Sequence, residues 1–411
     1  MDSVFKGLRV KALLICQPFR FSVFIGLALG LMTGAAAAQT ATQVAPFTTL
    51  APYAILMDSQ SGTVLFEKAA DQLNSPASLA KIMTAEVVFQ AITEGRLHLD
   101  DTYTISQNAW RKGGAPSGGS TMYAALNSQV RIEDLIRGLV IQSGNDAAIA
   151  LAEGLAGSEE AFAAVMTARA RELGLKNLSF RNPWGKFDPD QKVTMREMAL
   201  LSNHIIKTYP ELYRYFGERE FTWNKIKQQN RNRLLTMNIG ADGLKTGNIE
   251  DAGFGLVASA VDNGQRLILA INGLKSAKDR DEEGRRLLVW GFRSFDARTL
   301  FAGNDIIGHA QVFGGAQSQV PLVADGPVRV FIPKGNSEKM TGRIVYEGPL
   351  LAPLEAGKSV ASLKIYRGST LIVDQTLKTA EPIEQGTNLQ RAMDAGLELG
   401  IELFRTYVLK K

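Results

Sequence analysis

The sequence predicts an α/β domain at residues 46–295, followed by a small all-β sandwich at 297–386 and an amphipathic helix at 388–411. Three observations carry this. Strand-like runs lie at both ends of the first segment, with helical periodicity between them. From about Ala297 the texture changes to short alternating runs punctuated by turn dipeptides. The last residues repeat apolar side chains at three- or four-residue spacing.

Residues 1–38 read as a processing signal. Lys6, Arg9, Lys11 and Arg20 precede an apolar run from Phe21 to Met32, which ends in the small tract Ala35 to Ala38. Basic, then apolar, then small is the order of a secretory signal peptide, with cleavage expected after Ala38. The run is shorter than the roughly 20 residues a membrane span needs. The leader carries four basic residues and one acid, so its removal lowers the net charge from +5 to +2. Nothing in that balance calls for a nucleic-acid partner. Cys16, the one cysteine, leaves with the leader. The remaining chain has no disulfide framework, no thiol nucleophile and no thiolate metal site.

Ala54–Met57 and Thr63–Phe66 read as a hairpin, with Asp58-Ser59-Gln60-Ser61-Gly62 as the turn. Asn74-Ser75-Pro76 opens a helix with a polar cap candidate and proline in the first turn. That helix, to about Ile92, is apolar nearly all round, as a helix in mid-domain must be. Helical patterns follow at Ile132–Ile141, Ala147–Leu155, Ala161–Leu173 and Met195–Lys207. Thr194 with Glu197 forms a capping box for the last. Strands return at Gly253–Ala260 and Leu267–Ile271, before a helix at about Glu282–Trp290. In the β segment, Val328–Ile332, Gly342–Tyr346, Ser359–Tyr366 and Thr370–Leu377 alternate. Asp325-Gly326, Lys334-Gly335, Glu347-Gly348 and Arg367-Gly368 supply the turns.

Three motifs fall in order: Ser78-Leu79-Ala80-Lys81, Ser143-Gly144-Asn145 and Lys245-Thr246-Gly247. Singly each is weak, and a decoy Ser-x-Asn occurs at Ser106-Gln107-Asn108. Order, separation and context give the set its meaning. Ser78 begins a buried helix, Ser143 follows the apolar Leu139-Val140-Ile141, and Lys245 precedes a strand. A serine hydroxyl needs a base within hydrogen-bond reach. On a helix, positions three apart share a face, so Lys81 can lie beside Ser78. Lysine is a useful base only when neutral, which means lowering its pKa from about 10.4 to near 7, roughly 4 kcal/mol. Burial and the nearby charge of Lys245 both push that way.

The combination resembles the penicillin-recognising serine enzymes, and more closely the low-molecular-mass D-alanyl-D-alanine carboxypeptidases. The similarity spans about residues 50–295. It includes Asn145-Asp146-Ala147-Ala148, Asn182-Pro183-Trp184-Gly185 and the run Ala252 to Ala260, and it continues into the β segment, which looks like the extra domain of the type-5 carboxypeptidases. The resemblance implies a β-lactamase/transpeptidase-like antiparallel sheet with a helical insert, and an acyl-enzyme on Ser78. It implies Lys81 as base, Ser143 as proton relay to the leaving amine, and Asn145 as a partner of the peptide backbone. Lys245, Thr246 and Arg280 would engage the terminal carboxylate. Gly247 would let the strand approach the substrate. The backbone N–H groups of Ser78 and Asn248 would form the oxyanion hole. No metal or organic cofactor is implied. Substrates would be peptidoglycan stem peptides ending in D-Ala-D-Ala, and β-lactams would acylate the same serine. Asn248-Ile249 departs from the His or Tyr, then Thr, that relatives often carry. That puts substrate preference and antibiotic sensitivity in doubt, not the reaction class.

Other readings use the same residues. A Ser-His-Asp hydrolase is disfavoured, because His98, His204 and His309 lie in no nucleophile-elbow or metal-ligand context. A β-lactamase of class A type would have Asp in place of Gly144, and Glu172 with Asn177 look like an ordinary helix end. A non-catalytic wall-binding protein conflicts with the intact motifs. A D,D-endopeptidase stays open. In residues 388–411, Leu389, Met393, Leu397, Ile401, Phe404 and Val408 oppose Arg391, Asp394, Glu398, Glu402 and Arg405. Those charges prevent spanning. The pattern fits a helix lying in the membrane interface, on the periplasmic face of the inner membrane, or one docking against the β-domain or a sister chain.

Overall fold

The structure, a computed structural model, describes residues 47–249, 253–334 and 339–396. The expected leader at 1–38 and residues 397–411 of the expected terminal helix lie outside the described residues. One compact unit runs to Ser294 and a second begins at Phe295.

The first unit is built on a five-stranded antiparallel sheet. Across it lie Val64–Lys68, Tyr53–Asp58, Gln265–Leu274, Gly253–Asp262 and Ala241–Ile249, in that order. The first and last strands of the unit's sequence are therefore neighbours, and the helical insert loops out between them. Strand side chains alternate between faces. Here both faces are covered: Ile55, Met57, Ile268 and Ala270 join one apolar cluster, while Ala54, Leu56, Leu267, Leu269 and Ile271 join another. The helix Ala277–Ser294 covers the second face with Leu287 and Leu288. Burial on both sides explains why these strands read as continuous apolar runs.

On the first face lie Lys81–Thr93, Ile132–Val140, Asn145–Ala156, Glu159–Glu172 and Met195–Thr208. Ser158 and Thr194 cap their helices by accepting from Ala161 N and Glu197 N. The expected capping box is only half formed, because the Glu197 carboxylate turns away to accept from Asn177 N and Nδ2. The opening of the buried helix also differs from expectation. Ser75 caps nothing; a 3-10 turn, Ala77–Ala80, comes first and the α-helix starts at Lys81. Asn74 is taken up by pairing with Val193 and by accepting from Asn272 Nδ2. Two small two-stranded sheets, Thr102–Thr104 with Gln129–Arg131 and Glu220–Trp223 with Ile226–Gln229, are too short to leave a periodic signal.

The second unit has a six-stranded sheet, from Met340–Tyr346 through Ser359–Arg367, Thr370–Thr379, Gln319–Ala324 and Gly308–Phe313 to Leu350–Leu351. Phe295–Phe301 pairs with Val328–Pro333 in a second sheet. Val320, Leu322, Val330, Leu363, Ile365 and Leu377 fill its core. Residues 388–396 are helical. Gln390 Oε1 accepts from Thr387 N and Gln390 N donates to Thr387 Oγ1, a complete capping box. Asp394 accepts from Gly314 N, while Leu389 and Met393 are 72% and 67% exposed.

One loop braces the start of the buried helix. Asn182 Oδ1 accepts from Gly185 N and Lys186 N, curling the chain so that Gly185 adopts φ +89° directly against Ala77. A Cβ there would lie 1.8 Å from Ala77 O and 2.8 Å from Ser78 N. Gly174 has φ +78° with open space around it. Gly174→Ala should therefore cost only the left-handed backbone penalty, about 1–2 kcal/mol. Gly185→Ala should cost at least about 3 kcal/mol. Urea midpoints of the two variants measure the difference; equal losses would remove the bracing role.

Candidate active site

The 3-10 turn decides the first contact. Side chains three apart eclipse in a 3-10 helix, and Lys81 Nζ lies 3.2 Å from Ser78 Oγ. The amine makes two further contacts, donating to Trp184 O at 2.6 Å and to Asn145 Oδ1 at 2.8 Å. Lys81 is fully buried. Burial, then the charge of Arg231, hold its amine down at about 7, against a weaker upward pull from Asp146.

Ser143 and Asn145 come from the turn between Ile132–Val140 and Asn145–Ala156. Ser143 sits at φ +66°, and Ala77, just before Ser78, at +47°. Both are strained for residues with a side chain, which is where strain is commonly stored at functional sites. Ser143 is 2% exposed and its Oγ has no hydrogen-bond partner within the described residues. The turn is held by Asp146, buried behind it, which accepts from Thr121 Oγ1, Met122 N and Ala124 N. Burial raises the Asp146 pKa against those hydrogen bonds. Asn145 N donates to Ser120 O, fixing the wall of the cleft.

The third motif lies on the strand Ala241–Ile249, paired with Gly253–Asp262. A cleft of about 810 Å³ is lined by Ser78, Ser143, Thr246, Gly247, Asn248 and Arg280, so the three motifs meet. Lys245 is buried and donates to Thr246 O at 2.9 Å. Burial first, then the charges of Lys81, Arg231 and Arg280, hold it well below the ordinary lysine range. The expected repulsion between Lys245 and Lys81 is present, and Arg231 adds its charge to it. Arg280 is only 7% exposed, with Nε and Nη2 both on Asp281 Oδ1 at 2.9 and 2.7 Å.

Sequence reasoning missed three groups here: the Trp184 carbonyl, Asp146 and Arg231. Arg231 lines the cleft, and its guanidinium makes no hydrogen bond or ion pair among the described residues. Its neighbours Asn230 and Asn232 carried no motif. The histidines stand apart: His98 pairs with exposed Asp101, and His204 lies near buried Glu86. Among the described residues no group of His, Cys, Asp and Glu could hold a metal. Chemically, the cleft offers a hydroxyl beside a low-pKa amine, strand N–H groups, and cations suited to a carboxylate.

Residues 38–276 match the family model described as D-alanyl-D-alanine carboxypeptidase, and residues 295–385 match that of the penicillin-binding protein 5 C-terminal domain. The chain is 41% identical over 343 residues to the D-alanyl-D-alanine carboxypeptidase DacC of Escherichia coli, covering 83% of this chain and 86% of the relative. Penicillin binding protein 5 from Haemophilus influenzae superposes with a TM-score of 0.76 at 36% identity, over 83% of this chain and 100% of that one. Penicillin-binding protein D2 from Listeria monocytogenes, in its ampicillin bound form, superposes at 0.54 with 27% identity, over 60% and 99% of the two chains.

The electrostatics make one direct prediction. In lysine-labelled protein followed by NMR, one amine, lost in Lys81→Ala, should titrate near 7. Removing the Arg231 charge in Arg231→Gln removes a downward push, so that midpoint should rise, by about half a pH unit for a partly screened charge, leaving roughly half as much neutral amine at pH 7. A midpoint above 9 in the unaltered protein would refute the reading.

Proposed function

The chain belongs to the family of D-alanyl-D-alanine carboxypeptidases, and on that premise we propose that it removes the terminal D-alanine of peptidoglycan stem peptides through an acyl-enzyme on Ser78. One observation carries the reading. A neutral amine has two hydrogens and one lone pair. The two oxygens closest to Lys81 Nζ, Trp184 O and Asn145 Oδ1, can only accept, so they take both hydrogens. The lone pair is left for the third contact, the Ser78 hydroxyl. With the amine neutral, as burial favours, the geometry suits a base.

In the proposed reaction Ser78 Oγ bonds to the carbonyl carbon of the D-Ala-D-Ala link as its proton passes to Lys81 Nζ. The carbonyl oxygen takes up the negative charge, facing the backbone N–H groups of Ser78 and Asn248. As the tetrahedral species collapses, the C–N bond breaks and a proton reaches the leaving amine by way of Ser143, whose otherwise unpartnered hydroxyl is free for this transfer. Lys81 is left neutral again and D-alanine departs. Water then attacks the ester, giving a proton to Lys81, and the Ser78–acyl bond breaks with that proton returned to Oγ. Thr246, Lys245 and Arg280 hold the terminal carboxylate. Asn145, with its oxygen committed to Lys81, keeps Nδ2 for a substrate carbonyl. A β-lactam would acylate Ser78 in the same way.

The protein is proposed to act outside the cytoplasm, on the outer face of the inner membrane. The start of the terminal helix supports a surface contact, because Asp394 faces its own β unit while Leu389 and Met393 face solvent. No described helix is long and apolar enough to cross a membrane.

With a peptide ending in Lys-D-Ala-D-Ala, Ser78→Ala should abolish D-alanine release and covalent labelling by penicillin. Lys81→Ala should lower acylation by at least about 10³-fold; near-normal acylation would require another base. Deleting residues 388–411 should move the enzyme from membrane to soluble fractions with kcat unchanged. Retention in the membrane fraction would defeat the anchor.

A further inference from the structure

The Trp184 carbonyl is the closest partner of the Lys81 amine, and a backbone oxygen is only as well placed as its own residue. The Asn182 turn holds the backbone side of Trp184. The indole at the other end donates from Nε1 to Glu159 Oε2 at 2.8 Å. Glu159 is the first residue of its helix, where unpaired backbone N–H groups favour an anion. Its carboxylate is nearly buried, and Oε1 accepts from Asn108 Nδ2 at 3.0 Å and Lys112 Nζ at 3.1 Å.

Those two donors lie on the helix Gln107–Gly113, which also governs the second acceptor. Its end, Gly113, seats against the Asn145 backbone: a Cβ there would lie 2.5 Å from Asn145 C and 2.4 Å from Asp146 N. One carboxylate thus ties the ring of Trp184 to the helix that abuts Asn145. Both hydrogens of the amine end on groups this carboxylate braces.

We propose that Glu159 is a positioning residue for the reaction, holding through the Trp184 indole the carbonyl that orients the Lys81 amine. It rests on the reading of Lys81 as the base. A carboxylate serving only to pack helices would lower stability without separating kcat from KM.

The test uses the full chain, measuring kcat and KM for D-alanine release from the Lys-D-Ala-D-Ala peptide, with thermal unfolding alongside. Displacement of a catalytic group by about 1 Å can cost 10²-fold. Glu159→Ala and Trp184→Phe should each lower kcat roughly 10- to 100-fold with KM within about twofold. Because both remove one hydrogen bond, the double variant should be no slower than the worse single one. Glu159→Gln keeps an acceptor for the indole and should return kcat to within about threefold of the unaltered enzyme. If Glu159→Ala unfolds, Trp184→Phe and Glu159→Gln decide. Near-normal kcat in Trp184→Phe, losses that multiply in the double variant, or kcat and KM changing together would overturn the proposal. Lys81→Ala separates the two ideas: full activity there sinks the base, whereas an inactive Lys81→Ala beside a fully active Glu159→Ala sinks only Glu159.

Discussion

A primary amine sealed from water, with two carbonyl oxygens at 2.6 and 2.8 Å and a hydroxyl at 3.2 Å, is the constraint on which the rest depends. In water that amine would be an ammonium, and burying it as one would cost several kcal/mol. Deprived of solvent, it is held at about 7. The fold achieves this with ordinary means: a helix buried all round, and a neighbouring arginine. Two acceptors then orient what burial has neutralised.

Three remote stretches of chain supply the surroundings. The 3-10 turn brings hydroxyl and amine into register, the Ser143 turn brings Asn145, and the 182–185 loop brings the closest carbonyl. Two of them are held in conformations that local preference opposes, with Ala77 and Ser143 both at positive φ, while the third turns at Gly185. A central sheet buried on both faces makes that tolerable, because displacing any stretch disturbs a packed core. Asp146 and Glu159 act alike here. Each is a nearly buried carboxylate whose hydrogen bonds clamp a loop beside the cleft.

The charges form a graded set. Arg280 is already balanced by Asp281, Lys245 is depressed by burial, and Arg231 stands in the cleft with no counter-charge bonded to it among the described residues. The proposed substrate carboxylate would enter beside Arg231 and Arg280, which line the cleft. Of these charges, Arg231 adds to burial in lowering the Lys81 pKa.

Much was legible in the sequence by itself. Periodicity marked the helical insert and the returning strands. The order and spacing of Ser78-Lys81, Ser143-Asn145 and Lys245-Gly247 named residues that the fold gathers at one cleft, with Thr246, Asn248 and Arg280 on its lining. Local patterns carry such information because helix faces and strand alternation depend on neighbours in sequence. What only the tertiary structure decided depends on partners far along the chain. Glu197 reads as half of a capping box, yet Asn177 claims its carboxylate. Lys245 reads as the charge beside Lys81, and Arg231, which no motif marks, adds to it. The closest partner of the amine is a backbone oxygen, and every residue has one. No choice of side chain announces which carbonyl will be used, because the position of a backbone atom is settled by packing, not by identity.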